Sequence, residues 1–164
     1  MNRRALLPIL SVAFVAACET KPPPPPAPPP VATQTGLATL DAKTALPEDW
    51  LLEGGGPLPL LYFSSAQLKL SAGCKKPDGS LDCDALRFLR AGTPVQLLKR
   101  SLDGRMSAGS MACIRLAKES GKDGAYALVT AKNKLGAEDG LCRFPDGSYV
   151  TLGALEQYGI RVLE

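Results

Sequence analysis

Five cysteines and a complete lack of histidine define the chemistry open to this chain of 164 residues. Without histidine, Ser-His-Asp and Cys-His catalysis, histidine-ligated metals and histidine pH switches are excluded. No serine stands three residues before a lysine, so the Ser-x-x-Lys nucleophile is missing as well. Aspartates and glutamates are present, but no spacing groups them into a catalytic pair. We therefore expect a protein that is not an enzyme and that uses neither a cofactor nor a metal.

The first cysteine ends a segment with the features of a secretory signal. Arg3 and Arg4 precede an apolar run over residues 5–17, which is shorter than the roughly 20 residues needed to span a bilayer. The sequence Val-Ala-Ala-Cys, ending at Cys18, resembles the lipobox of bacterial lipoproteins, in which cleavage before the cysteine accompanies its lipidation. The alternative is an ordinary signal peptide with a chance cysteine.

The lipobox resemblance implies a membrane anchor and a localisation in the cell envelope. Residues 1–17 would be a lipoprotein signal peptide, and Cys18 would carry acyl chains such as palmitate. Each buried methylene contributes about 0.8 kcal/mol, so several chains would hold firmly. The protein would face the periplasm from the cell envelope. In this family an aspartate after the cysteine favours inner-membrane retention, so Glu19 leaves both membranes open, with the outer membrane favoured.

A proline-rich segment follows the lipidation site. Residues 22–30 are prolines apart from Ala27, and such a run adopts an extended polyproline conformation. At about 3.1 Å per residue it would form a stiff spacer of roughly 28 Å. A polar stretch of loose chain is expected to continue to about Thr44. We therefore expect residues 18–45 to be a tether and residues 46–164 to be one globular domain. The alternative is a ligand for a proline-binding module.

The pattern of the globular segment predicts a mainly β fold, as a small antiparallel sheet or barrel, with a β-rich α+β fold as second choice. Short apolar or alternating runs bounded by Gly, Asp or Ser predict strands over residues 58–63, 67–70, 93–99, 111–117, 125–131 and 140–144. Residues 120–124 have the composition of a hairpin loop between two of these strands.

Two short helices are expected beside the strands. One is predicted over residues 84–90, with Asp82 as its cap and Gly92 just past its end. The other is predicted over residues 152–158, with Thr151 as its cap and Gly159 as its stop.

Four cysteines remain once Cys18 is assigned to the lipid, and an even number in an exported domain indicates two disulfides. Three pairings are open, and we favour Cys74–Cys83 and Cys113–Cys142. Loop-closure entropy predicts roughly 2.7 and 3.6 kcal/mol for bridges of these spans. A zinc site or a redox pair is the rival, but Cys-x-x-Cys spacing is absent.

Two segments that begin at a cysteine share one pattern. Cys74 and Cys142 are each followed by two residues and then by Pro-Asp-Gly-Ser, and each segment leads into a predicted helix. The physical sense is a tight turn followed by a helix that folds back on the sheet. Either the domain is an old duplication, or one useful turn occurs twice.

Residues 106–159 resemble a small family of exported bacterial domains that carry the label haemolysin or are described only as domains of unknown function. The resemblance rests on Met-Ser-Ala-Gly-Ser-Met-Ala-Cys, ending at Cys113, and on Gly-Leu-Cys-Arg-Phe-Pro-Asp-Gly-Ser, ending at Ser148. Two features depart from the family: Tyr149 and Val150 stand where it has a cysteine, and Gly153 stands where it has a tryptophan. We draw no lytic activity from the label.

Residues 90–99 are similar to a strand in bacterial relatives of the Src-homology-3 barrel, which often bind cell wall or peptide. Residues 123–129 would then correspond to a later aromatic strand. Aromatic residues make up only 5% of the chain, so an aromatic binding face would be thin. A structural strand is the favoured interpretation.

The charge pattern supplies a candidate binding surface. Loss of residues 1–17 removes Arg3 and Arg4 and lowers the net charge from +3 to +1, which argues against nucleic acid as a partner. Residues 69–122 nevertheless hold eleven Lys and Arg against five Asp and Glu. The residues chosen for an interaction surface are Lys75, Lys76, Arg87, Arg90, Lys99, Arg100 and Arg105.

These observations together favour binding over catalysis. The leading hypothesis is a lipid-anchored accessory protein that contacts another envelope protein. A peptidoglycan- or lipopolysaccharide-binding module, which would use the basic residues against carboxylates or phosphates, is the first alternative. A toxin-like or inhibitor protein is the second.

Overall fold

The structure, a computed structural model, describes residues 35–102, 104–121 and 124–164. The predicted signal peptide, Cys18 and the proline-rich segment lie outside these residues. The strands are β1 (Leu46–Leu52), β2 (Pro57–Phe63), β3 (Leu68–Ser71), β4 (Val95–Leu98), β5 (Ala127–Asn133), β6 (Glu138–Arg143), β7 (Tyr149–Thr151) and β8 (Ile160–Leu163). The α-helices are α1 (Thr35–Ala38), α2 (Asp84–Ala91), α3 (Ala108–Ser120) and α4 (Leu152–Gly159).

Six strands close an antiparallel barrel in the order β1-β2-β3-β7-β6-β5. The barrel closes where β1 pairs with β5, with Trp50 opposite Asn133. Because side chains alternate along a strand, one set of each strand points inward. The inward apolar cluster consists of Trp50, Leu58, Leu60, Ala131 and Leu141. The prediction of a mainly β, disulfide-stapled fold is confirmed.

A larger apolar core lies on the other face of the barrel strands. Leu68, Leu70 and Val150 alternate with the inward positions and are fully buried. They belong to one cluster with residues of α2 and α4 such as Leu86 and Leu155. The two helices therefore cover one side of the barrel with their apolar side chains.

Helices α2 and α4 occupy the predicted segments, but their first turns are held differently from the prediction. Gly92 ends α2 in the left-handed conformation, at φ 66°. Asp82 does not cap α2, because its carboxylate is engaged by Arg87. Thr151 is at the N-cap of α4, but its side chain makes no capping hydrogen bond.

The prediction of a strand over residues 111–117 is wrong, because these residues belong to helix α3. The prediction of a hairpin loop at 120–124 is wrong for the same reason, since this segment follows a helix and does not join two strands. The Ser107 hydroxyl accepts a hydrogen bond from Ser110 N at 3.1 Å and caps the helix, and Gly121 ends it at φ 61°. Gly109 also allows a close contact, since a Cβ at this position would collide with the carbonyl of Leu152 on α4. Local capping and close helix packing thus outweigh the strand propensity of the segment.

The folded part begins ahead of the predicted boundary at residue 46. Leu37, on α1, is only 1% exposed, and Ala42 is also buried. The Arg90 side chain donates a hydrogen bond from Nε to Leu37 O at 3.1 Å. Residues that were assigned to the end of the tether therefore pack on the domain.

Two disulfides join the cysteines in the pairing that the sequence analysis favours. Cys74–Cys83 closes a loop at the entry to α2, with a Cα–Cα distance of 5.0 Å. Cys113–Cys142 ties α3 to β6, with a Cα–Cα distance of 5.7 Å. The second bridge therefore joins a helix to the barrel, where the sequence predicted a link between two strands.

Strands β4 and β8 form a separate two-stranded parallel sheet. Val95 and Leu97 of β4 are buried, whereas Leu98 is exposed. Within the described ranges, no helix has both the length and the apolar character needed to cross a membrane.

Candidate functional site

The predicted basic surface divides into two groups, and the first group lies around Asp82. Arg87 binds the Asp82 carboxylate at 2.7 and 3.0 Å and Asp84 at 2.8 Å. The hydrogen bond from Arg87 is the main cause that lowers the pKa of Asp82, with help from the positive charges of Lys76 and Arg90. The same pairing raises the pKa of Arg87. Two of the four predicted basic residues here therefore hold the domain together, since Arg90 binds Leu37 O.

Lys75 and Lys76 of this first group remain at the surface. Both are exposed on the loop that Cys74–Cys83 closes. Neither ammonium has a hydrogen-bond or ion-pair partner among the residues that the structure describes. They are the part of the first group that is open to a ligand.

The second group comprises Lys99, Arg100 and Arg105, which lie between β4 and α3. All three are exposed, and Lys99 pairs with Glu164 at 2.9 Å. Their neighbours in the chain, Leu98 and Met106, line a groove. The second group therefore borders an apolar surface that the charge pattern did not predict.

This groove has a volume of about 470 Å³ and lies between β4 and α3. Leu98 and Met106 on its walls are 39% and 41% exposed, although both are large apolar side chains. Ser101 is engaged locally, since its hydroxyl donates to Leu98 O at 2.5 Å. The lining residues are Leu97, Leu98, Ser101, Met106, Met111, Ile114, Arg115 and Lys118.

A second depression lies on the other side of α3, with a volume of about 380 Å³. It shares Ile114 and Lys118 with the groove, so these residues form a ridge between the two. Leu128, on its far wall, is 42% exposed. We call the combined surface the α3 face, and it consists of Leu98, Met106, Met111, Ile114, Lys118 and Leu128.

The charges on the α3 face are positive on balance. Arg115 pairs with Glu119 at 2.6 Å and also donates to Gln96 O. Lys118 is exposed, and no described residue pairs with its ammonium. The face therefore offers apolar side chains to bury and cations at its border, which is the composition of a binding surface.

Sequence reasoning missed the α3 face because it assigned residues 111–117 to a strand. In a strand, Met111 and Ile114 would lie on opposite sides, whereas in a helix residues three and seven apart share one side. The cap at Ser107 and the glycine at position 121, fourteen residues later, are the signal that would have indicated a helix.

Comparisons with known protein families, with curated proteins and with solved structures find no match to this chain. The resemblances to lipoproteins and to the haemolysin-labelled domains therefore stay predictions from short motifs. The geometry of the described residues is the remaining guide to function.

Proposed function

We propose that this chain is a lipid-anchored, non-catalytic protein of the cell envelope whose domain binds another envelope protein through the α3 face. The observation that supports this most is the groove beside α3, where Leu98 and Met106 are about two-fifths exposed. Exposed apolar residues that gather in one groove indicate a site where a partner buries them.

The exposed apolar side chains of the groove favour a protein as the partner over a cell-wall polymer. Covering Leu98 and Met106 would contribute roughly 1 kcal/mol each, given the fraction of each side chain that is still exposed. Sugar chains and phosphates offer little apolar surface in return. An amphipathic protein segment does, and it can lie along a groove of this kind.

The border of the groove defines the charge of the partner. Lys118 is exposed there and lies in both depressions of the α3 face, and Arg100 is exposed in the chain between Leu98 and Ser101 of the groove. An acidic residue beside the apolar side of the partner would pair with them. We therefore propose a segment that is apolar on one side and acidic at its edge.

The test is a photo-reactive cross-linker placed at Met106 of the full chain in growing cells. Leu135 is the matched control, because it is an exposed leucine at 93% in the turn between β5 and β6, away from the α3 face. We expect one discrete adduct from position 106 and none from position 135. Met111→Asp should abolish the adduct. Equal labelling from both positions, or labelling that Met111→Asp leaves unchanged, would refute the α3 face as the binding surface.

A second candidate, wall binding, is favoured by the exposure of Lys75 and Lys76. Its test is co-sedimentation of the chain with purified peptidoglycan sacculi at low and high salt. Charge-driven binding should disappear at high salt, because screening removes it. The double change Lys75→Ser and Lys76→Ser should reduce pelleting if these residues bind the wall. Pelleting that depends neither on salt nor on the double substitution would argue against charge-driven wall binding. In that case, or if the chain does not pellet at all, binding of a protein partner remains the proposed function.

A further inference from the structure

A polar depression of about 480 Å³ opens at one end of the barrel, away from the residues used above. Inward-facing positions on five strands contribute to it, together with the start of α4. We call it the barrel mouth, and its lining residues are Glu48, Tyr62, Gln67, Lys69, Asp139, Thr151, Gly153, Ala154 and Gln157.

An ammonium group lies between two carboxylates in the barrel mouth. Lys69 Nζ lies 3.4 Å from Glu48 Oε2 and 3.5 Å from Asp139 Oδ2. It also lies 4.3 Å from the ring centroid of Trp50, which donates a hydrogen bond from Nε1 to Glu48 at 2.8 Å. Because two carboxylates surround one ammonium, the site carries one excess negative charge. The mouth can therefore attract a second cation beside Lys69.

The start of α4 supplies hydrogen-bond donors, which favour a negatively charged ligand group. Thr151 is 5% exposed, and its hydroxyl has no hydrogen-bond partner among the described residues. The first N–H groups of α4 likewise receive no side-chain cap. A buried hydroxyl and uncapped helix N–H groups at one site are donors that an anion would satisfy.

The carboxylates and the hydrogen-bond donors of the mouth are close together because β6 contacts Leu152, the first residue of α4. A Cβ at Gly140 would lie 2.5 Å from the Leu152 side chain, so glycine is what lets the helix start lie against β6. Asp139 precedes Gly140, and Thr151 precedes Leu152. Gly153 leaves open space at the same end of the helix, since a Cβ there would meet nothing within 4 Å.

Backbone strain lies in the wall of the mouth. Gln67 has φ 47°, and it is the only residue other than glycine with a positive φ in the described part of the chain. Strained residues of this kind concentrate at binding sites. The mouth thus combines strain, an unsatisfied hydroxyl and unbalanced charge.

We propose that the barrel mouth binds the zwitterion of an α-amino acid, or the amino-acid end of a larger molecule. The carboxylate lies at the Thr151 hydroxyl and the N–H groups of α4, and the ammonium lies at Asp139 and Glu48. A simple anion would face the excess negative charge, and a simple cation would leave the helix donors unsatisfied. A zwitterion satisfies both.

The chain carries its own reporter for this binding. Trp50 is its only tryptophan and lies beside the Lys69 ammonium in the mouth. The experiment is a titration of the full chain in detergent with alanine, followed by tryptophan fluorescence. Acetate and ethylamine serve as the two half-ligands. We expect a saturable change with alanine at lower concentration than with either half-ligand. No saturable change with alanine, or an equal response to acetate or ethylamine, would overturn the proposal.

Two matched pairs of variants locate the site. Thr151→Val keeps the shape and removes the hydroxyl, and it should weaken alanine binding about tenfold, whereas Thr93→Val at an exposed site should not. Asp139→Asn should weaken it by a similar factor. Asp49→Asn is its control, because Asp49 pairs with Lys134 at 3.0 Å outside the mouth. Should Thr151→Val not fold, Asp139→Asn decides alone, and affinity unchanged in it would refute the site.

Discussion

Two regions of the molecule, one starting at Cys74 and the other at Cys142, repeat the same local structure 68 residues apart. Their helices, α2 and α4, begin and end with this same offset. The bridge between Lys75 and Leu81 corresponds to the pair of Arg143 and Tyr149. The shared offset runs through turn, bridge and helix, which favours duplication over one turn used twice.

The turns themselves have the same hydrogen bonds. Ser80 N and Ser80 Oγ bond Asp78 Oδ1 at 2.8 and 2.7 Å. Ser148 N and Ser148 Oγ bond Asp146 Oδ1 at 2.9 and 2.5 Å. The central glycines, Gly79 and Gly147, both have φ above 80°. Local sequence alone therefore determines the local turn.

The two turns differ in what lies beside them. Asp146 Oδ2 accepts from Asp84 N at 2.8 Å, and Ser148 Oγ accepts from Ala85 N at 3.1 Å, so the second turn caps α2. No described helix receives such a cap from Asp78, whose carboxylate bonds only its own turn. One local structure thus has two roles, and the tertiary neighbour decides which.

The largest difference in stability between the two regions should come from removal of the disulfides at which they begin. Replacing Cys113 and Cys142 by alanine should lower the free energy of unfolding by about 3.6 kcal/mol, against about 2.7 kcal/mol for Cys74 and Cys83. The reason is the longer span of the first pair, 29 residues against 9. Urea unfolding of both double variants measures this. A larger loss from Cys74 and Cys83 would contradict the loop-entropy argument.

The second largest difference in stability between the two regions should come from removal of the turn carboxylates. Asp146→Ala should cost about 1–2 kcal/mol, because α2 loses its cap. Asp78→Ala, the matched control in the exposed turn, should cost clearly less. Thermal unfolding of both variants gives the comparison, and equal losses would mean that the cap on α2 contributes nothing.

The smallest expected effect is the pH dependence of the Asp146 contribution. Burial raises the pKa of Asp146, but hydrogen bonds from Asp84 N and Ser148, together with the charge of Arg87, outweigh burial and lower this pKa below its ordinary value. A carboxylate whose pKa falls on folding stabilises the native state above its ordinary pKa, and that stability is lost as pH drops through the folded value.

The stability gap between the wild type and Asp146→Asn should therefore be constant near neutral pH and shrink below about pH 4. Urea unfolding across this range measures the gap. The pKa of Asp78 is lowered as well, mainly by the Ser80 hydroxyl, so Asp78→Asn should show the same trend from a smaller starting gap. A gap that widens at low pH would show that ionised Asp146 destabilises the fold.

Features encoded by neighbouring residues could be predicted from the sequence. The runs that become β2, β3, β5 and β6 alternate or are apolar over a strand length, and Gly92 marks the end of α2. The long-range arrangement could not be predicted in this way. The strand β7 is only three residues long and carries no periodic signal, yet it pairs with both β3 and β6 and so links them in the barrel.

The candidate sites show the same limit. Glu48, Lys69 and Asp139 come from three strands, so no spacing in the sequence could bring them together. The basic residues were chosen from local charge excess, but Arg87 and Arg90 turned out to bind the domain itself. Charge is a local property of the sequence, whereas its partner is decided by the fold.

The approach of two glycines to Leu152 determines how this sequence can vary without losing its fold. A side chain at Gly109 would meet the Leu152 backbone, which cannot move without displacing α4. A side chain at Gly140 would meet only the flexible end of Leu152. Natural variants of this chain should therefore keep glycine at position 109 almost without exception. At position 140 they can accept a small residue whenever a smaller side chain replaces Leu152 in the same variant.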